Sequence, residues 1–294
     1  MHEPVLLQSV IELLDPRPGD CMIDGTVDGG GHAAAIMKKI MPEGNFLGVD
    51  WDETMIRKRI AEIKFPDREH YVCGNYADLP GIMNQEQLGK ADGLLLDLGF
   101  SSEQLEESRR GFSFKEEFGD EPLLMTYDAS RRPVAEILRE ESEESLADIL
   151  YQFGGERRSR QIAKAIKLAG KAKPITTSGQ LADVIRKTLP GNYEHGRIDP
   201  ATRTFQALRI YANGELENLA RVIDELPEIL KPGGKAVIIT FHSLEDRIVK
   251  QKFQALAKSG VAKIITKKPI AASREEIAEN PRSRSAKVRA ATII

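Results

Sequence analysis

The chain has 294 residues, 41% hydrophobic and 30% charged, an ordinary globular composition with enough apolar material for one large core or two modest ones. A formal net charge of −3 gives no overall signal for a polyanion partner. The only cysteines, Cys21 and Cys73, lie in neither a CxxC nor a metal-ligand spacing, so no disulfide framework or metal site is expected.

The chain opens "MHEPVLLQSVIELL" without a basic leader, and no apolar run approaches the roughly 20 residues of a membrane span. A cytoplasmic protein is expected. "CMIDGT", from Cys21, reads as a short strand ending in an acid. Ala33, Ile36, Met37 and Ile40 then recur at helical spacing. "FLGVD" is a second strand closing on Asp50, a helix runs roughly from Thr54 to Ile63, and "HYVCGN" is a third strand. "ADGLLLDLGF" is a fourth, with the unbroken apolar centre of a strand buried on both faces. Strands alternating with helices predict an α/β fold with a doubly wound, Rossmann-like sheet.

Ligands of such sheets bind at the carboxyl ends of the strands. Asp24, Asp50, Asn75 with Tyr76, and Asp97 all fall at those ends. Between the first strand and its helix lies "DGTVDGGGH", which is not the G-x-G-x-x-G of a dinucleotide site. A pyrophosphate there would meet Asp28, and like charges a few ångströms apart cost about 4 kcal/mol at an effective dielectric near 20. S-adenosylmethionine has no phosphate and carries a sulfonium, so nearby acids favour it. The glycines would let the backbone approach it closely. Asp50, nineteen residues beyond Gly31, has the spacing of an acid that accepts ribose hydroxyls. A plain tight turn would explain the glycines alone.

Beyond the fourth strand the patterning is helical for more than a hundred residues. Ser142 is placed to cap a helix carrying Leu146, Ile149, Leu150 and Phe153 and stopped by Gly154, and Thr177 to Gln180 reads as a capping box. An inserted helical domain over residues 103–201 is expected, with 1–102 and 202–294 forming the sheet domain. "LKPGGKAVIITF", from Leu230, supplies a Pro-Gly-Gly turn and a fifth strand. Charge is uneven: residues 103–150 hold fourteen acids and six bases, 151–210 hold four acids and twelve bases, and 240–294 hold five acids and twelve bases. Two basic segments flanking an acidic one suit a polyanion, although solvated helix faces read the same way.

Four stretches are specific together: "HEPVLL", "DGLLLDLGFSSEQLEESRRGFSF", "DPATRTFQALRI", and "FHSLEDRIVK" with "NPRSRSAKVRA". Through them the chain resembles the bacterial small-subunit ribosomal RNA cytosine-N4-methyltransferases, the RsmH or MraW family, from His2 to about Ala290. The resemblance implies a class I methyltransferase domain with a helical insertion, S-adenosyl-L-methionine as donor, and a decoding-region cytidine of 16S rRNA in the small ribosomal subunit as target. It implies cofactor contacts at Gly30, Gly31, His32, Asp50, Tyr76, Asp97 and Gln104. The chain departs from the family at Asp28 and Gly29, in "EPLLMTYD" (Glu121 to Asp128) where the family has "GPLDMRMD", and at Gly214 where an acid is common.

Cytosine N4 is a weak nucleophile that must be placed in line with the methyl group and relieved of a proton. Asp97 is the expected catalytic acceptor, with Ser101 and Ser102 in support. Phe100 is a stacking surface or a core side chain. C5-methylation would need a thiolate, and both cysteines read as buried in strands. Arg203 and Arg247 are expected either to bind substrate or to pair with Asp199, Glu245 and Asp246. Arg282 and Arg284 are expected to contact RNA, and His242 either serves the site or only hydrogen-bonds there. The altered segments leave two alternatives, an amino-methyltransferase of another RNA or DNA base and a ribosome-associated binding protein without turnover. The sequence leaves monomer and homodimer both open.

Overall fold

The computed structural model describes residues 4–99, 109–128, 130–190, 193 and 198–294. Within it the chain divides into two compact units, 1–99 with 216–294 and 100–215.

The first unit is built on one sheet of eight strands: β1 (Cys21–Asp24), β2 (Asn45–Asp50), β3 (Glu69–Cys73), β4 (Ala91–Asp97), β5 (Leu230–Thr240), β6 (Ala262–Ile264), β7 (Ile270–Ala271) and β8 (Lys287–Ile293). Their order is β3-β2-β1-β4-β5-β8-β6, with β7 pairing β8 off this path. β1 to β5 run parallel, as the alternation predicts, and β8 is antiparallel to β5, which makes the sheet mixed. β1, β4 and β5 lie at its centre; β1, β4 and residues 236–240 of β5 are almost wholly buried, because they are covered on both faces.

One face carries Val10 and Leu14 of α1 (Leu7–Leu14) and Ala33, Ile36 and Ile40 of α2 (Gly31–Ile40), packed on Met22, Phe46 and Leu95. The opposite face packs α4 (Leu79–Gln85), α10 (Glu215–Asp224), α11 (Leu226–Ile229) and α12 (Ser243–Lys258) against Ile23, Leu47, Leu94 and Ile238. α3 (Glu53–Ile60), capped by the Asp52 side chain, follows β2, and α13 (Arg274–Glu279) precedes β8.

Two expectations in this unit change. Pro232, Gly233 and Gly234 form no separate turn but lie within β5, where the register against β4 shifts and Gly233 takes φ +85°. A bulge of this kind needs a positive-φ residue, and glycine supplies it without strain. Cys73 is exposed rather than buried, because β3 is the sheet edge and Cys73 ends it.

The second unit is helical: α5 (Val134–Glu140), α6 (Glu143–Gly154), α7 (Ser159–Ala172), α8 (Ser178–Thr188) and α9 (Thr202–Asn213). Ser142 accepts from the Ser145 amide at 3.0 Å, and the capping box of Thr177 and Gln180 is formed. Leu146, Ile149, Leu150, Ile162, Leu181 and Ile185 make its core. Gly155, at φ +63°, rather than Gly154, ends α6. The expected return to the sheet at Thr202 falls after α9 instead, since Phe205, Ala207 and Leu208 bury their apolar stripe in this helical core. Gly214 takes φ +61° at the end of α9, a left-handed position that explains a glycine there in place of an acid.

The "EPLLMTYD" segment, where the chain departs from the family, is largely structural. Leu123, Met125 and Thr126 are buried, the Leu123 amide donates to the Thr176 carbonyl at 2.9 Å, and the Glu121 carboxylate accepts from the Gly111 amide at 3.0 Å.

Candidate active site

The carboxyl ends of β1, β2 and β4 bring three acids beside the glycine turn. Asp24, closing β1, is 1% exposed; its Oδ1 accepts from the Thr26 amide at 3.1 Å, while Oδ2 is buried and has no hydrogen-bond partner among the described residues. Burial pushes its carboxyl up to about 6 against the pull of His32 and the Thr26 amide. Thr26 joins two strands, because its hydroxyl accepts from the Asp97 amide at 2.7 Å and lies 3.4 Å from Asp24 Oδ1.

Asp50, closing β2, is 4% exposed and accepts from the Asp28 amide at 2.8 Å and the Asp52 amide at 2.9 Å, one on each oxygen. Burial raises it to about 7, more than those two amides offset. Each oxygen keeps a further lone pair for a ligand hydroxyl. Its bond to Asp28 holds the first turn in place, with Asp28 itself at φ +42°.

Asp97, closing β4, is the more open carboxylate, with its side chain 20% exposed. Oδ1 accepts from the Gly99 amide at 3.1 Å, and Oδ2 lies 3.4 Å from His32 Nε2, an ion-pair contact off the line of a hydrogen bond. Burial pulls the His32 imidazole down, but Asp97 and Asp24 outweigh it and the net shift is upward. His32, whose charged form the two acids favour, is the electrostatic centre of the site.

The three glycines differ. A side chain at Gly30, which takes φ +77°, would meet the Arg59 guanidinium at 2.4 Å, and one at Gly31 would meet the Pro4 ring at 2.6 Å. At Gly29 nothing lies within 4 Å of the place a Cβ would fill. The fold therefore needs Gly30 and Gly31 small, whereas Gly29 borders open space. Together with the partnerless Asp24 oxygen, this concave turn fits a ligand that carries both a cation and hydroxyl groups.

Of the other residues singled out in the sequence, Tyr76 is 6% exposed and lies in the core cluster with Ala77 and Leu79, directly under Gly25. Phe100, Ser101, Ser102 and Gln104 lie outside the described residues. Asp199 pairs with Arg186 at 2.9 Å and Asp246 with Arg289 at 2.7 Å, so neither takes up the pairing anticipated for Arg203 or Arg247. An Arg203 nitrogen approaches the Gly155 carbonyl at 3.5 Å, and Arg247 is exposed. Arg282 and Arg284 share a short turn, Pro281–Ser285, where Arg284 is exposed and Arg282 half-buried. His242 is the N-cap of α12, its Nδ1 accepting from the Glu245 amide at 3.3 Å and its Nε2 lying 2.9 Å from Glu245 Oε1. Sequence reasoning missed Thr26, whose bridging role follows from β1 and β4 being neighbours, and Arg289, buried in a strand otherwise read as tail.

The MraW methylase family matches residues 1–294, the whole chain. The chain belongs to the MraW methylase family. It is a methyltransferase with S-adenosyl-L-methionine as its donor. Family relatives named ribosomal RNA small subunit methyltransferase H include one from Syntrophus aciditrophicus, 43% identical over 99% of this chain and 96% of its own length. Another, from Coprothermobacter proteolyticus, is 43% identical over 98% and 94%, and one from Ehrlichia chaffeensis is 40% identical over 99% of both. Among solved structures, an rRNA methylase from Streptococcus thermophilus is similar at TM-score 0.45 and 8% identity, covering 100% of this chain and 99% of that one. Aeropyrum pernix fibrillarin, solved with natively bound S-adenosyl-L-methionine, is similar at TM-score 0.44 and 12% identity, over 98% and 72%. Among the described residues no helix is long and apolar enough to cross a membrane.

Proposed function

We propose that the protein transfers a methyl group from S-adenosyl-L-methionine to N4 of a cytidine in the decoding region of 16S rRNA, in the small ribosomal subunit. The relatives' name supplies the RNA. The observation that carries the choice of atom is Asp97, a half-open carboxylate at the end of β4 whose backbone is fixed by Thr26 and whose oxygen faces His32.

In this reading the orphaned Asp24 oxygen and the Gly29–Gly31 turn hold the amino-acid end of the cofactor, and Asp50 accepts the ribose hydroxyls. The bound cofactor supplies an electrophilic methyl group. Asp97 accepts a hydrogen bond from the exocyclic amino group, which aligns the nitrogen lone pair and receives the proton that nitrogen must lose. His32 stands beside that carboxylate, its Nε2 3.4 Å from Asp97 Oδ2. Ser101 and Ser102 remain proposed helpers and Phe100 a proposed stacking surface. Tyr76 acts from beneath, by packing under the first turn.

Methylation at C5 is disfavoured by the thiols. Cys21 begins β1, at the opposite end of that strand from Asp24, and burial pushes its thiol up to about 11. Cys73 lies on the sheet edge, its sulfur 3.6 Å from the Trp51 carbonyl. The helical unit is proposed to recognise the RNA. Incubating small subunits with tritiated cofactor and separating the labelled nucleosides tests this function. N4-methylcytidine is the expected product; label in another nucleoside, or no transfer, refutes the proposal.

A further inference from the structure

On the helical unit, the end of α6 and the start of α7 enclose an open cleft of about 530 Å³ lined by Asp148, Tyr151, Arg157, Arg158 and Arg160. Tyr151 projects from α6 with 62% of its surface exposed, a large apolar area for an aromatic to leave open to solvent. The three arginines are exposed, and none has an ion-pair partner among the described residues; Asp148 is the single acid in the cleft.

The backbone that presents them is firmly held. Gly155 turns the chain at φ +63°, and Glu156, fully buried, accepts from the Arg158 amide at 2.7 Å with one oxygen and from the Tyr193 hydroxyl with the other. A buried carboxylate with both oxygens engaged fixes the turn, so the arginines leave it in set directions. α7 begins without a side-chain cap. Lys164, one turn beyond Arg160 and also exposed, extends the basic strip along α7.

From this arrangement we infer that the α6–α7 cleft is a docking surface for single-stranded RNA, in which Tyr151 stacks on a base while Arg157, Arg158 and Arg160 take the flanking phosphates. An exposed aromatic among unpaired arginines suits unpaired nucleotides better than a duplex, whose bases offer no open face. It suits RNA better than an acidic peptide, which would leave the ring without a partner. The inference rests on the proposed RNA substrate and names where the chain would grip it away from the reacting base.

The test uses the full chain, small subunits, and a single-stranded 16S rRNA decoding-region fragment. Tyr151→Ala should weaken binding of the fragment about 5- to 150-fold, as loss of one stacked base does, and Tyr151→Trp should restore it. Replacing all three arginines with alanine should flatten the slope of log affinity against log salt by up to about 2 units, at roughly 0.7 per phosphate on a single strand. Circular dichroism and calorimetric cofactor affinity, both expected to match the parent, check the fold. Variants that bind the fragment with the parent affinity and salt slope overturn the inference. So does loss of subunit binding with fragment binding intact, since the partner would then be protein. If the parent methylates an atom other than cytosine N4 while the variants still lose RNA, the proposed reaction fails and the docking surface stands.

Discussion

Cofactor binding should expel protons. In the free protein burial holds Asp50 near 7 and Asp24 near 6, from 3.8 for both. At pH 6 these values leave Asp50 ~0.9 protonated and Asp24 ~0.5, whereas at pH 7.5 the two together retain only ~0.3 of a proton. A ligand that donates ribose hydroxyls to Asp50 and sets a cation beside Asp24 stabilises the ionised forms, so those protons leave when it binds. Binding of S-adenosylhomocysteine should thus release about 1.4 protons at pH 6 and about 0.3 at pH 7.5, with affinity about 15-fold weaker at the lower pH. Calorimetry in buffers of differing ionisation heat measures the release directly. In Asp50→Asn the release at pH 6 should fall to about 0.5. An affinity independent of pH, or heats that do not vary with buffer, would refute the placement of the ligand on these acids. Stability of the free protein carries the same sign. Raised carboxyl groups favour the folded state below pH 4, and that advantage is lost as pH rises through 6 and 7; His32, also raised, acts in the same direction. The unliganded protein should therefore unfold at lower urea near pH 8 than near pH 5.

Asp97→Asn should fold normally but transfer methyl groups at least about a hundredfold more slowly in single turnovers, because the amide still accepts a hydrogen bond but cannot take the proton. A parent rate would remove Asp97 from the chemistry. Gly30→Ala should lose about 1 to 2 kcal/mol of stability through its left-handed backbone, whereas Gly29→Ala should melt like the parent yet bind cofactor more weakly. Equal cofactor affinity in Gly29→Ala would place the ligand elsewhere. Thr26→Val should cost about 1 to 3 kcal/mol in urea unfolding, since the Asp97 amide loses its acceptor. Asp246→Ala should cost about 3 kcal/mol, because it strands Arg289, which is 7% exposed.

What was legible in the sequence depended on the range of the interaction. The strands and the caps at Ser142 and Thr177 were readable because the forces that set them act within a few residues. Asp24, Asp50 and Asp97 were readable for a topological reason: in a parallel sheet every carboxyl end faces the same edge, and β2, β1 and β4 lie side by side in it. Ion pairs obey no such rule. Asp199 has Arg203 four residues away yet pairs with Arg186, thirteen residues back. Asp246 ignores its neighbour Arg247 for Arg289, 43 residues on, because β8 runs antiparallel to β5 and brings that guanidinium to the start of α12. The same reasoning accounts for the boundary of the helical unit. An apolar stripe such as Phe205, Ala207 and Leu208 announces that it will be buried but carries no address, and the address is set by helices fifty residues earlier. Chemistry at strand ends is thus written locally and assembled by topology, whereas the partners that hold it rigid, Thr26 and Arg289 among them, are fixed only once the strands have taken their order.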